Sequence, residues 1–196
     1  MVHKNIILLA TLLILSVLSI QAQVSITTLN GDIIKASSYK ISEIDDFQEV
    51  MYQKNGKERS LGLETIFSIK EPDKSASIFY KPESDQELAV ENMKSMVEGR
   101  IAGNVGDVFL PSFLLTFSAT AATGFIESGQ FFVAPVVPLC TTITIGLFSR
   151  KEKITEGDEF YREGFVEKRT RRRIKASLWG AAAGLVGSLA IHKIMY

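Results

Sequence analysis

The chain has 196 residues, and its 22 basic and 22 acidic side chains leave a formal charge of zero. That balance excludes a whole-protein attraction to nucleic acid, and a single cysteine, Cys140, excludes an intrachain disulfide framework. The apolar residues, 46% of the total, are bunched: residues 108–149 carry one charge, Glu127, while 24–100 and 150–175 are densely charged. Such blocks predict membrane segments between soluble pieces, within an α+β protein.

Residues 1–22 read as a signal peptide. Lys4 precedes an apolar run from Ile6 to Ile20, and Ala22 supplies the small residue before a cut. An uncleaved anchor is the alternative. Either way the chain from Gln23 onward is expected on the far side of the membrane from the cytoplasm. Residues 23–83 are expected to form a small antiparallel β domain of four to six strands, with a small barrel as one arrangement. Asn30-Gly31 and Asn55-Gly56 each suit a type I′ hairpin turn. Val24, Ile26 and Thr28 alternate with polar neighbours, as do Val50 and Tyr52, while 63–70 and 76–81 add further strands. Glu43, Asp45, Asp46 and Glu49 lack the glycine and spacing of a calcium loop and read as a solvated loop.

An amphipathic connecting helix is expected over 84–103. Ser84 and Glu87 have capping-box spacing, and Ala89, Val90, Met93, Met96 and Val97 form an apolar stripe. Gly99 and Gly103 weaken its far end. Residues 104–149 read as an apolar helical hairpin, with arms at 108–126 and 131–149 joined by 127–130. Pro135 and Pro138 are expected to kink the second arm. A charged basic loop, 150–175, holds ten basic and six acidic residues from Arg150 onward. Lys168, Arg169, Arg171, Arg172, Arg173 and Lys175 are placed against lipid headgroups. A nucleic-acid arm would need aromatic or polar readers, which are missing.

The C-terminal membrane helix, 176–196, is glycine-rich. Gly180, Gly184 and Gly187, with Ala176, Ala183 and Ala190, form a flat stripe that permits close helix packing, opposite Leu178, Leu185 and Leu189. About three apolar helices are thus expected. A full hairpin would return the chain to the exported side and strand the basic residues there, against the positive-inside rule.

The signal peptide, the opening "LNGDIIKA", "MVEGRIAG", the proline-containing hairpin and "EFYREGF" before a basic run occur here in that order. The whole resembles an uncharacterised family of envelope membrane proteins from Gram-negative bacteria. In that family a Gly-x-x-Ala step precedes the hairpin, matched by Gly99 and Ala102. A Tyr-x-x-Gly-Tyr step precedes the last helix, matched by Tyr161 and Gly164 with Phe165 in the final place. The resemblance implies no activity and no catalytic residues. His3 and His192 lie too far apart in sequence for a shared site to be expected, and no metal or cofactor is expected. The leading expectation is a non-enzymatic envelope membrane protein with a periplasmic β domain for partner binding or assembly. Its partners would be membrane lipids and a second copy or another envelope protein. A small pore, lined by Thr116, Thr120, Thr123, Thr141 and Thr144, is one alternative. An intramembrane enzyme using Asp107 and Glu127 is the other.

Overall fold

The computed structural model describes residues 23–44, 47–84, 86–126, 136–149 and 157–195. The signal segment 1–22, His3, Asp45, Asp46, Pro135 and the link at Glu127 lie outside them. The chain is α+β and divides into two compact units, residues 1–83 and 84–196.

Among its described residues the first unit carries seven strands: β1 (Val24–Thr28), β2 (Ile33–Ala36), β3 (Ser38–Ile44), β4 (Phe47–Lys54), β5 (Lys57–Gly62), β6 (Ile66–Lys70) and β7 (Ser77–Ile78). They form two antiparallel sheets, ordered β2-β1-β6-β7 and β3-β4-β5. The chain passes from one sheet to the other at Ser37, whose amide bonds the Gln53 carbonyl at 2.9 Å. Both sheets feed one core of Val24, Ile26, Ala36, Val50, Tyr52, Ile66 and Ile69. The period-two alternation in β1 and β4 turns Val24, Ile26, Val50 and Tyr52 inward.

The two Asn-Gly turns differ. Asn55 and Gly56 both take positive φ, 54° and 72°, as a two-residue type I′ turn requires. At the first turn only Gly31 is positive, at 76°. Its amide bonds the Thr28 carbonyl at 3.0 Å, and the Thr28 amide bonds the Asp32 carbonyl at 3.0 Å. That is a three-residue loop, Leu29-Asn30-Gly31, with the glycine as a bulge, in place of the expected two-residue turn. The acidic loop expected around 43–49 is also shorter, because Glu43 and Glu49 are ladder residues opposite Gln48 and Ser42.

The second unit is helical: α1 (Val90–Gly103), α2 (Phe109–Ala121) continued by a 3-10 turn (Ala122–Phe125), α3 (Val136–Ser149) and α4 (Glu159–Met195). Three expectations change here. The capping box fails, since Ser84 and Glu87 close only a turn (3.0 Å, amide to carbonyl) and α1 starts at Val90 after Ala89 in an extended conformation. The basic loop 150–175 is helical from Glu159 onward, so the final helix has 37 residues where 176–196 was expected. At 1.5 Å per residue it is about 55 Å long. Its charged half has helical footing because Arg100 and Arg171 both pair with Glu167, the latter one turn along α4 itself. Pro138, finally, falls in the first turn of α3, where its missing amide is harmless.

Helix α4 is the spine of this unit. α1 packs along its first half, and α2 and α3 along its second. Its start is fixed by Asp158, which accepts the Tyr161 amide at 2.8 Å and the Ser95 hydroxyl of α1 at 2.6 Å. Those two bonds hold the Asp158 carboxyl below its ordinary pKa, the Ser95 hydroxyl contributing most.

Candidate membrane interface

Small residues let the helices touch backbone to backbone. A side chain at Gly180 would collide with the Phe113 carbonyl oxygen, and one at Gly184 would lie 2.7 Å from Thr120 Cβ and 2.9 Å from the Phe117 carbonyl oxygen. In the expected stripe, Gly180 and Gly184 meet α2 of the same chain. The stripe's width is not as expected. Ala176, Ser177, Gly180, Ala181, Gly184 and Ser188 are buried, whereas Gly187 is only partly covered and Ala190 is exposed. A methyl at Gly187 would meet nothing nearer than Ala121 Cβ at 3.6 Å.

Four close approaches went unread in the sequence. Gly99 and Gly103 of α1 press on the α4 backbone at Tyr161 and Phe165, Gly164 presses on the Met96 carbonyl, and Gly124 on the Ser188 carbonyl. Gly99 and Gly103 nonetheless lie inside α1. They are where it meets α4. The signal was available as glycines spaced four apart, the same pattern read in the last helix.

Hydroxyls tie the same surfaces together. Thr116 Oγ1 and Ser177 Oγ are 2.7 Å apart, Ser177 Oγ and Thr142 Oγ1 are 2.8 Å apart, and Thr123 Oγ1 and Ser188 Oγ are 2.8 Å apart. Ser177 is thus one node shared by α2, α3 and α4. Of the threonines weighed as a pore lining, Thr116 and Thr123 make these bonds, and Thr141 and Thr144 bond carbonyls of their own helix. Thr120 is buried against Gly184.

Large apolar residues point the other way. Thr116, Thr120, Ser177 and Ser188 are fully buried at 0% exposure, while Leu115 and Trp179 are each 60% exposed. Phe109, Leu110, Leu114, Leu139, Ile143, Leu178, Val186 and Leu189 are exposed too. Cys140 joins this outer surface. The arrangement inverts that of a water-soluble bundle, which buries leucine and exposes serine and threonine.

No known protein family, curated protein or solved structure matches this chain. Among the described residues α4 is the one helix long and apolar enough, by length and composition, to cross a membrane; Phe109–Phe125 and Val136–Gly146 are shorter apolar helices.

The six basic residues expected at lipid headgroups are all on α4, at the boundary of its apolar half, and three have identified work inside the protein. Arg172 Nη1 bonds the carbonyls of Gly103, Asn104 and Gly106 at 3.3, 2.6 and 3.2 Å, closing the end of α1. Arg169 stacks over the Phe165 ring, 5.1 Å from its centre. Arg171 pairs with Glu167 at 2.6 Å and stays largely exposed. Lys168 and Arg173 are partly covered, and Lys175 is exposed. Asp107, the acid weighed for catalysis, caps α2 by accepting the Phe109 and Leu110 amides at 3.2 Å each. Among the described residues no group of three His, Cys, Asp or Glu side chains is placed to hold a metal ion.

Proposed function

We propose that the protein is a non-enzymatic membrane anchor of the cell envelope. In this reading α2, α3 and the second half of α4 lie together in the bilayer as three apolar helices. The β unit is the soluble part, available to bind an envelope partner or a second copy. The observation that carries the proposal is the inverted helical unit, with serine, threonine and glycine at the helix contacts and leucine, phenylalanine and tryptophan outside. Between helices in lipid there is no hydrophobic drive, so association depends on close van der Waals packing and interhelical hydrogen bonds. Both are supplied here by Gly180, Gly184, Ser177 and Ser188. In water the same surface would expose a broad apolar patch.

Lys168, Arg169, Arg171, Arg173 and Lys175 would meet lipid phosphates where α4 leaves the hydrocarbon, with Arg172 kept for the α1 cap. The export signal favours a periplasmic β unit. The test is extraction of native membranes at alkaline pH. Retention of the full-length chain in the pellet, with release only by detergent, supports an anchor. Release without detergent overturns it.

A further inference from the structure

We infer that the helical unit is two-sided: α1 and the basic collar lie at one face of the bilayer, and the C-terminus lies at the other. The inference rests on the membrane reading above and goes beyond it in fixing which ends share a side.

The register of the helices carries the argument. Along α4, Gly180 meets Phe113, Gly184 meets Phe117, and Ser188 meets Thr123. Both helices ascend together, so α2 and α4 are parallel. Helix α3 descends: Thr142 bonds Ser177, and Gly146 faces Ile174, three residues earlier in α4. The chain therefore passes up, down and up, an odd number of crossings. A full hairpin was expected to return the chain to the side it left, with the basic collar there as a loop. Here it is the lower part of α4 itself, held beside the start of α2 by the bonds from Arg172 to Gly103, Asn104 and Gly106.

Charge follows the same division. Lys168, Arg169, Arg171, Arg172, Arg173 and Lys175 all stand at the lower end. In sequence, residues 122–143, from the 3-10 turn after α2 into α3, contain no lysine or arginine, and the last turn of α4 adds only His192 and Lys193. Residues 24–107 hold no apolar run of spanning length, so the β unit stays on the collar side. The two sorting signals in this chain thus act on the same side in opposite senses. The export signal draws the β unit outward, and a basic collar resists translocation. Whichever prevails, the C-terminus takes the other side.

The test uses the full chain with Cys140→Ser and one new cysteine, at exposed Glu98 of α1 or exposed Lys193 near the end of α4. Membrane-impermeant maleimide is applied to sealed right-side-out and inside-out vesicles. The inference expects Glu98→Cys to label in one orientation and Lys193→Cys only in the opposite one. Labelling of both in the same orientation, with the protein still resisting alkaline extraction, overturns the two-sided arrangement and leaves the anchor reading intact. Loss of the protein to the alkaline supernatant overturns both. Trypsin treatment of the same vesicles, with the unaltered chain carrying a C-terminal tag, gives a second reading without the cysteine changes. Loss of the tag and cleavage within the collar should require opposite orientations.

Discussion

Replacing Gly180 by alanine adds a single methyl group, and the structure places that methyl against backbone. It would overlap the Phe113 carbonyl oxygen and lie 3.2 Å from the Phe113 carbonyl carbon and Cα. Backbone cannot swing aside as a side chain can, so α2 and α4 must separate. Separation also stretches the Thr116–Ser177 and Thr123–Ser188 contacts, now 2.7 and 2.8 Å. Overpacking costs about 1–3 kcal/mol, and each weakened interhelical hydrogen bond in a membrane bundle costs roughly 0.6 kcal/mol. Alanine returns about 1 kcal/mol in helix propensity. The net loss is therefore about 1–3 kcal/mol, and at roughly 2–4 °C per kcal/mol for a chain of this size the melting temperature should fall by several degrees. Gly187→Ala is the internal control. Its methyl meets ordinary contacts at 3.6 Å and beyond, so stability should stay level or rise by up to about 1 kcal/mol. Thermal unfolding of detergent-solubilised protein, followed by circular dichroism, reads both. If Gly180→Ala melts at the wild-type temperature, or Gly187→Ala loses more than Gly180→Ala, the backbone contact does not hold α2 on α4.

Ser177→Ala should cost about 1 kcal/mol, because the change takes one hydroxyl from both Thr116 and Thr142; the same melting assay should show a drop, and a Thr116→Val, Ser177→Ala double variant should lose less than the sum of the singles. Gly56→Val should weaken the β unit by about 1 kcal/mol or more, since φ is +72° there and a β-branched residue resists it. The space around Gly56 is open, so Gly56→Asn should be tolerated, as urea unfolding would report. Asp158 has a lowered pKa in the folded chain, so its contribution is complete above the ordinary carboxylate range and disappears as pH falls through the folded value. Unfolding measured between pH 5 and about 2 should therefore show less acid sensitivity in Asp158→Asn than in wild type. N-terminal sequencing of envelope material should find the chain beginning at or next to Gln23, and an intact Met1 would instead identify an anchor.

Much of the β unit was legible because its signals are local. Alternation in β1 and β4 named Val24, Ile26, Val50 and Tyr52 as core, and Asn55-Gly56 named its own turn. The first turn was misread by one residue because Asn-Gly serves a two-residue loop and the end of a three-residue loop alike. The placement depends on the ladder, Thr27 opposite Ile33, which composition does not reveal. The helical unit was harder because its logic is pairwise. Charge density made 159–175 look like a loop, yet Glu167 links Arg100 with Arg171, and Arg172 closes the end of α1. Each of those partners lies on another element or a turn away. For the same reason Gly99 and Gly103 read as helix weakeners, and Gly164 as part of a loop, until the facing helix was in view. Gly180 and Gly184 were legible as a packing pair, but Ser177 and Ser188 were not. A lone serine in an apolar helix carries no sign of the threonine opposite.

Trp179 is the chain's single tryptophan, and it lies on the outer surface of α4, one residue before Gly180. Its fluorescence in reconstituted phospholipid vesicles tests most directly whether this inverted surface faces lipid. The account predicts a blue-shifted emission that spin-labelled acyl chains quench and aqueous iodide does not. Red-shifted emission, quenched by iodide and indifferent to the acyl-chain label, would contradict it.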